Sequence, residues 1–249
     1  MSSVLTSTAR GMVVMGRCAK ILGAFTSNWP VFGHHSAACS QKAEKAPEEQ
    51  SEASNCWHCE KIVDCMTVDK FFCGGCHFVQ PPTKCLNYFQ YLGFPVTFNL
   101  NLDDLGSSYR KLQFKLHPDR FANKTQEEQN FSEEQSTMLS KAHRTLHNPV
   151  TRAIYMLELV GHPVEENATI AEAEFLMEIM ELNETLADTE DASQVEQIGQ
   201  QADSWRSEAE RRFAGAFDQA DYGTAQKEAI KMRYYDTLFF NVQKKLGWE

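Results

Sequence analysis

Between residues 101 and 148 the chain reads as two amphipathic stretches with a proline between them, and that proline decides how the two can lie. Leu105, Tyr109, Leu112 and Leu116 recur at helical spacing and form one buried stripe. Asn101 or Asp103 can cap this helix, which is expected to run to about His117. Arg110, Lys111 and Lys115 fall off the stripe, and Lys111 and Lys115, one turn apart, share an exposed basic face. Pro118 cannot continue the hydrogen-bond ladder and disfavours helical backbone at His117. After a polar loop a second helix is expected from near Gln126. Its inward stripe is Phe131, Gln135, Met138, Ala142 and Thr145 or Leu146, and Asn148-Pro149 closes it. Two such helices joined by a short loop make an antiparallel hairpin. Upstream, residues 87–92 are a short aromatic helix ended by Gly93 and Pro95.

Four of the eight cysteines stand in a pattern: Cys56-x2-Cys59 and Cys73-x2-Cys76, with thirteen residues between the pairs. Each pair can chelate from one tight turn, and together they offer four thiolates to a tetrahedral metal site. Gly74 and Gly75 suit a tight knuckle, and Phe71 and Phe72 are placed to cover the metal in a module too small to build its own core. The metal expected is structural zinc, with no open coordination position. Two disulfides, or a redox dithiol, are the competing uses of these residues; a reducing compartment disfavours the disulfides. His58 and His77 are alternative ligands, and Cys65 and Cys85 are spare thiols.

Beyond residue 148 everything reads as helix. Residues 150–160 are helical and stop at Gly161 and Pro163. Three longer patterns follow near 168–189, 193–218 and 222–246. The second carries Val195, Ile198, Ala202, Trp205, Ala209, Phe213 and Ala216 or Phe217; the third carries Ala225, Ala229, Met232, Phe239 and Leu246. Three such helices can bury their stripes together as a bundle. The first is unusual. Phe175, Ile179, Leu182 and Leu186 fall within ~60° of one another on a helical wheel and suffice for a core. Leu176, Met177 and Met180 form a second apolar strip, with Glu181, Glu184 and Asp188 beside it. Such a strip either docks a partner or packs on another helix of the same bundle, and periodicity alone does not separate the two.

Charge is distributed unevenly. Residues 1–43 hold four basic and no acidic residues, the composition of a mitochondrial transit peptide; the competing reading is a disordered tail without an address. Residues 44–55 read as a flexible polar linker. The whole chain carries −10, and its last part, residues 165–249, has 8 basic against 19 acidic residues. That balance argues against nucleic acid as a partner. A membrane-spanning helix is excluded because no run of ~18 consecutive apolar residues exists.

A short first helix, a basic second helix, His117-Pro118-Asp119 in the loop and a long third helix closely resemble a J-domain over roughly residues 86–150. The resemblance implies that His117, Pro118 and Asp119 contact a DnaK-type heat-shock chaperone and stimulate its ATP hydrolysis, with Arg110, Lys111 and Lys115 steering that contact. Without the resemblance, the tripeptide is equally a helix stop with an Asx turn, or His117 a general base, although no partner for catalysis is identifiable nearby.

A J-domain followed by an acidic bundle with the stretch FLMEIMELNE resembles the iron–sulfur cluster co-chaperones of the HscB type, whose animal members also carry a four-Cys module and a presequence. The expected fold is therefore all-α: a zinc module (56–80), a J-domain with connecting helix (86–160) and a three-helix bundle (165–249). The resemblance implies that the bundle binds an IscU-type scaffold through Leu176, Met177, Met180, Glu181, Glu184, Asp188 and, on the last helix, Tyr234. Met180 stands where bacterial members tend to have Leu, and Asp188 where they have Glu. The expected role is that of a co-chaperone promoting cluster transfer in the mitochondrial matrix, not that of an enzyme; an uncleaved form would remain in the cytoplasm. Self-association is a further contact the sequence leaves open. A general J-domain co-chaperone for unfolded clients is the alternative.

Overall fold

The helix stops and caps in the sequence set the element order. A computed structural model describes residues 54–63, 70–83, 85–165 and 168–247. The expected leader, most of the linker and Cys65 lie outside them. The last two linker residues, Ser54–Asn55, form β1, paired antiparallel with β2, Ile62–Val63. The helices are α1 (Tyr88–Leu92), α2 (Leu102–Leu116), α3 (Gln126–His147), α4 (Pro149–Leu159), α5 (Ala173–Asp188), α6 (Ala192–Asp218) and α7 (Tyr222–Leu246). The all-α class is as expected.

The local signals act as chemistry requires. Asn87 and Gln90 form a capping box on α1, and Gly93 closes that helix at φ 83°, a conformation only glycine adopts freely. Asn101 caps α2 by accepting from the Asp103 and Asp104 amides, and Thr125 caps α3. Asn148 caps α4 with Pro149 at its first position. Helix α5 begins five residues later than its pattern predicts. Ile170 is buried against Ile230 and Phe175, and the Arg233 guanidinium donates to the Ala168 carbonyl, so tertiary contacts keep this stretch out of the helix.

The main core does not respect the segments suggested by the sequence. It runs from Phe71 and Val79 through Phe89, Tyr91, Leu105, Leu116, Leu139 and Met156 to Phe213, Ala229 and Met232. Phe71 meets Tyr91 edge-on at 5.1 Å, and Phe98 lies 4.8 Å from Phe213, centroid to centroid. Two smaller clusters complete the bundle, one around Leu186, Val195, Ile198, Leu238 and Val242, the other around Ile170, Phe175, Ile179 and Ile230. Helices α6 and α7 approach closely at Gly199, where a Cβ would meet Val242 Cγ1 at 2.9 Å. That is a packing reason for glycine inside a long helix.

Candidate functional site

Each Cys-x2-Cys pair folds as a knuckle of the same design. The Glu60 amide donates to the Cys56 carbonyl at 2.9 Å, and the His77 amide to the Cys73 carbonyl at 2.8 Å. The residue after each second cysteine is left-handed: Glu60 at φ 59° and His77 at φ 61°. Gly74 and Gly75 lie inside the second knuckle, as expected, but the left-handed position falls on His77 and not on a glycine. The His58 amide donates to Cys56 Sγ at 3.4 Å, and the Gly75 amide to Cys73 Sγ at 3.3 Å.

The four sulfurs lie within 4.8 Å of one another; Cys56–Cys76 and Cys59–Cys73 are each 3.6 Å apart. A cation held ~2.3 Å from four sulfurs sets tetrahedral edges of about 3.8 Å, so the spacing fits a metal ion and not disulfide bonds. The backbone amides of Cys76 and Gly75 pull the Cys73 thiol down to about 6. Burial, and then the crowding of Cys59, Cys56 and Cys73, pushes the Cys76 thiol up to about 12. Four thiolates coexist at such distances when a cation sits among them. His58 and His77 are both exposed and outside the cluster; His58 instead stacks on Phe78 at 3.7 Å. Phe71 turns into the main core instead of covering the metal, and Val63 is the apolar residue packed with the cysteines.

At the end of α2, His117 is extended (φ −62°, ψ 129°), as a residue before proline should be. Pro118–Phe121 continue as a 3-10 turn. The imidazole Nδ1 accepts from the Asp119 amide at 3.3 Å and lies 3.6 Å from the Asp119 carboxylate, whose side chain is 90% exposed. Arg110, Lys111 and Lys115 are all exposed on α2. Sequence reasoning missed two neighbours. Phe114, between the lysines, is 70% exposed, and the Arg120 guanidinium lies 4.7 Å from its ring centroid. With Tyr109, Arg110, Gln113 and His117 they line a shallow depression of about 380 Å³. An apolar residue off the buried stripe was the one available signal.

Burial divides the two apolar strips of α5. Phe175, Ile179 and Leu186 are buried and Leu182 half-buried, whereas Met177 is 62% and Met180 37% exposed. Glu181, Glu184 and Asp188 are exposed on the same face. Leu176 is half-buried at the edge of the Phe175 cluster, beside which Tyr234 of α7 packs edge-on to Phe175 at 5.5 Å. Met177 and Met180 therefore stay open to solvent, while Leu176 is shared with the bundle.

Comparison with known proteins agrees with these features. A DnaJ domain model matches residues 87–155, and a model described as the HSCB C-terminal oligomerisation domain matches residues 171–239. The mouse iron–sulfur cluster co-chaperone protein HscB is 35% identical over 198 residues, 79% of this chain and 83% of the relative. The crystal structure of the human co-chaperone protein HscB matches with a TM-score of 0.73 at 32% identity, over 77% of this chain and 98% of that one. The chaperone HscB from Vibrio cholerae matches at 0.58 and 26%, over 66% of this chain and 99% of its own. On fold, sequence and the order of its parts, the chain belongs to the HscB family of J-domain co-chaperones of iron–sulfur cluster assembly.

Proposed function

We propose that this protein delivers an IscU-type scaffold to a DnaK-type chaperone by holding one partner at each end. The J-domain presents His117, Pro118 and Asp119 and stimulates the chaperone's ATP hydrolysis. Arg110, Lys111 and Lys115 steer an acidic chaperone surface onto the motif, and Phe114 adds an apolar contact beside it. The face of α5, with Leu176, Met177, Met180, Glu181, Glu184, Asp188 and the flanking Tyr234, binds the scaffold. Tethering both partners on one chain raises the effective concentration of the scaffold at the chaperone. Cys56, Cys59, Cys73 and Cys76 hold zinc structurally, and the ion supplies a cross-link between the two knuckles. The acid-free leader directs the chain to the mitochondrial matrix. Self-association, suggested by the description of the C-terminal family model, is a further use of the bundle.

The observation that carries this reading is an exposed His117–Asp119 pair at the end of a basic helix, on the same compact unit as an exposed Met177–Met180 strip rimmed by acids. The test is single-turnover ATPase of a mitochondrial DnaK-type chaperone with this protein, with and without the scaffold. Synergy between protein and scaffold is expected. Stimulation indifferent to the scaffold would leave a general J-domain co-chaperone and return the α5 strip to a structural role.

A further inference from the structure

The space between the cysteine cluster and the helical hairpin is crossed by a continuous line of buried polar groups. Gln80, just past the second knuckle, is 5% exposed. Its Nε2 donates to Cys56 Sγ at 3.4 Å and to the Phe78 carbonyl at 2.8 Å, and its backbone amide donates to the Phe71 carbonyl at 2.9 Å. Its own carbonyl accepts from Gln135 Nε2 of α3 at 2.8 Å. Gln135 Oε1 in turn accepts from the Tyr91 hydroxyl of α1. One turn from Gln135 on the same face of α3, the buried Ser132 hydroxyl donates to the Leu116 carbonyl at 2.8 Å, the residue immediately before His117.

A buried polar group that loses its partner keeps the cost of its lost hydration, so such a line resists being broken at any one point. Its first link is an N–H···S bond to a metal-site sulfur. Outer-shell donors of this kind orient ligands and tune affinity for the ion. A cation fixes four sulfurs within 4.8 Å of one another. Once it leaves, Cys56 Sγ is no longer a fixed acceptor for Gln80, and of the hydrogen bonds among the described residues only that from Trp57 Nε1 to the Val79 carbonyl, at 2.7 Å, still ties the first knuckle to this stretch.

We propose that Gln80 is the outer-shell donor of the four-Cys centre, and that the line Gln80–Gln135–Tyr91 makes the order of α1 and α3 depend on metal occupancy. Through Ser132 this dependence reaches the carbonyl that precedes His117. The consequence for chaperone stimulation rests on the function proposed above; the link from metal to helices does not.

The test uses the full chain and Zn2+ alone, with no chaperone present, so its failure is separate from failure of the proposed function. Gln80→Leu should weaken zinc about 10-fold in a chelator competition. In the wild type, zinc removal should lower amide-exchange protection in α1 and α3 several-fold. Gln135→Leu should keep wild-type zinc affinity and lose most of that zinc-dependent difference. Tyr91→Phe, which removes only a hydroxyl, should diminish the difference at α1 and decides the matter if Gln135→Leu loses its helical circular dichroism. Zinc affinity of Gln80→Leu within twofold of the wild type would overturn the outer-shell role. Undiminished zinc-dependent protection in the second-link variants would overturn the relay and assign the coupling to the ring contacts of Phe71 with Tyr91 and of Trp57 with Phe131 of α3, the latter pair 5.5 Å apart.

Discussion

Asp119 uses its backbone amide, not its carboxylate, to stabilise the turn, because that amide donates to His117 Nδ1 while the carboxylate stands in solvent. Asp119→Asn therefore should abolish stimulation of the chaperone ATPase with scaffold affinity and melting temperature unchanged; loss of both activities together would refute the division of labour. Phe114 is 70% exposed, so Phe114→Ala should leave the melting temperature within a degree or two and still reduce chaperone stimulation. Stimulation equal to wild type would place Phe114 outside the contact. In the cysteine cluster, Cys73→Ser replaces a sulfur whose thiolate is favoured by two backbone amides. Bound zinc should fall below one equivalent while α5 to α7 keep their helicity; unchanged metal content would exclude the four-sulfur site.

At the scale of the element, α5 separates two tasks around one helix. Ile179 is 2% exposed, and Ile179→Ala should cost ~2–5 kcal/mol of stability. Leu176→Ala with Met180→Ala changes the outward strip and should lower scaffold affinity with a much smaller effect on thermal unfolding. Calorimetry on both variants, beside scaffold titration, checks the contrast; a melting loss as large as that of Ile179→Ala would make the strip part of the core. Periodicity places the inward residues of α5 because burial repeats every 3.6 residues, but it carries no information on whether a second apolar strip has a neighbour. In α3 the same rule finds Gln135, Ala142 and Leu146, places Phe131 and Met138 inward where they are only half-buried, and misses Leu139 as well as Glu128 and Ser132, which are polar yet buried.

Over the whole molecule, one core joins Phe71 and Val79, which flank the second knuckle, to the helical hairpin and α6–α7. Phe213 is fully buried against Phe98, so Phe213→Ala should cost ~3–5 kcal/mol and lower the melting of hairpin and bundle together. Fluorescence of Trp57, near the hairpin, and of Trp205, in the bundle, should report one coincident transition. Two separated transitions would show that the Phe98–Phe213 contact contributes little. A shared core also sets the two proposed binding faces at a fixed separation, which favours bringing both partners together over flexible tethering.

The sequence by itself determined what depends on near neighbours: the helices and their caps, the extended His117, the two knuckles and the inward stripes, all governed by interactions spanning a few residues. Only the tertiary structure decided where Phe71 points, why residues 168–172 stay outside α5, that Met177 and Met180 face solvent, and that Gln80 links a sulfur to α3. Each of these depends on which atoms from distant parts of the chain arrive alongside, and a one-dimensional pattern of polarity does not encode that.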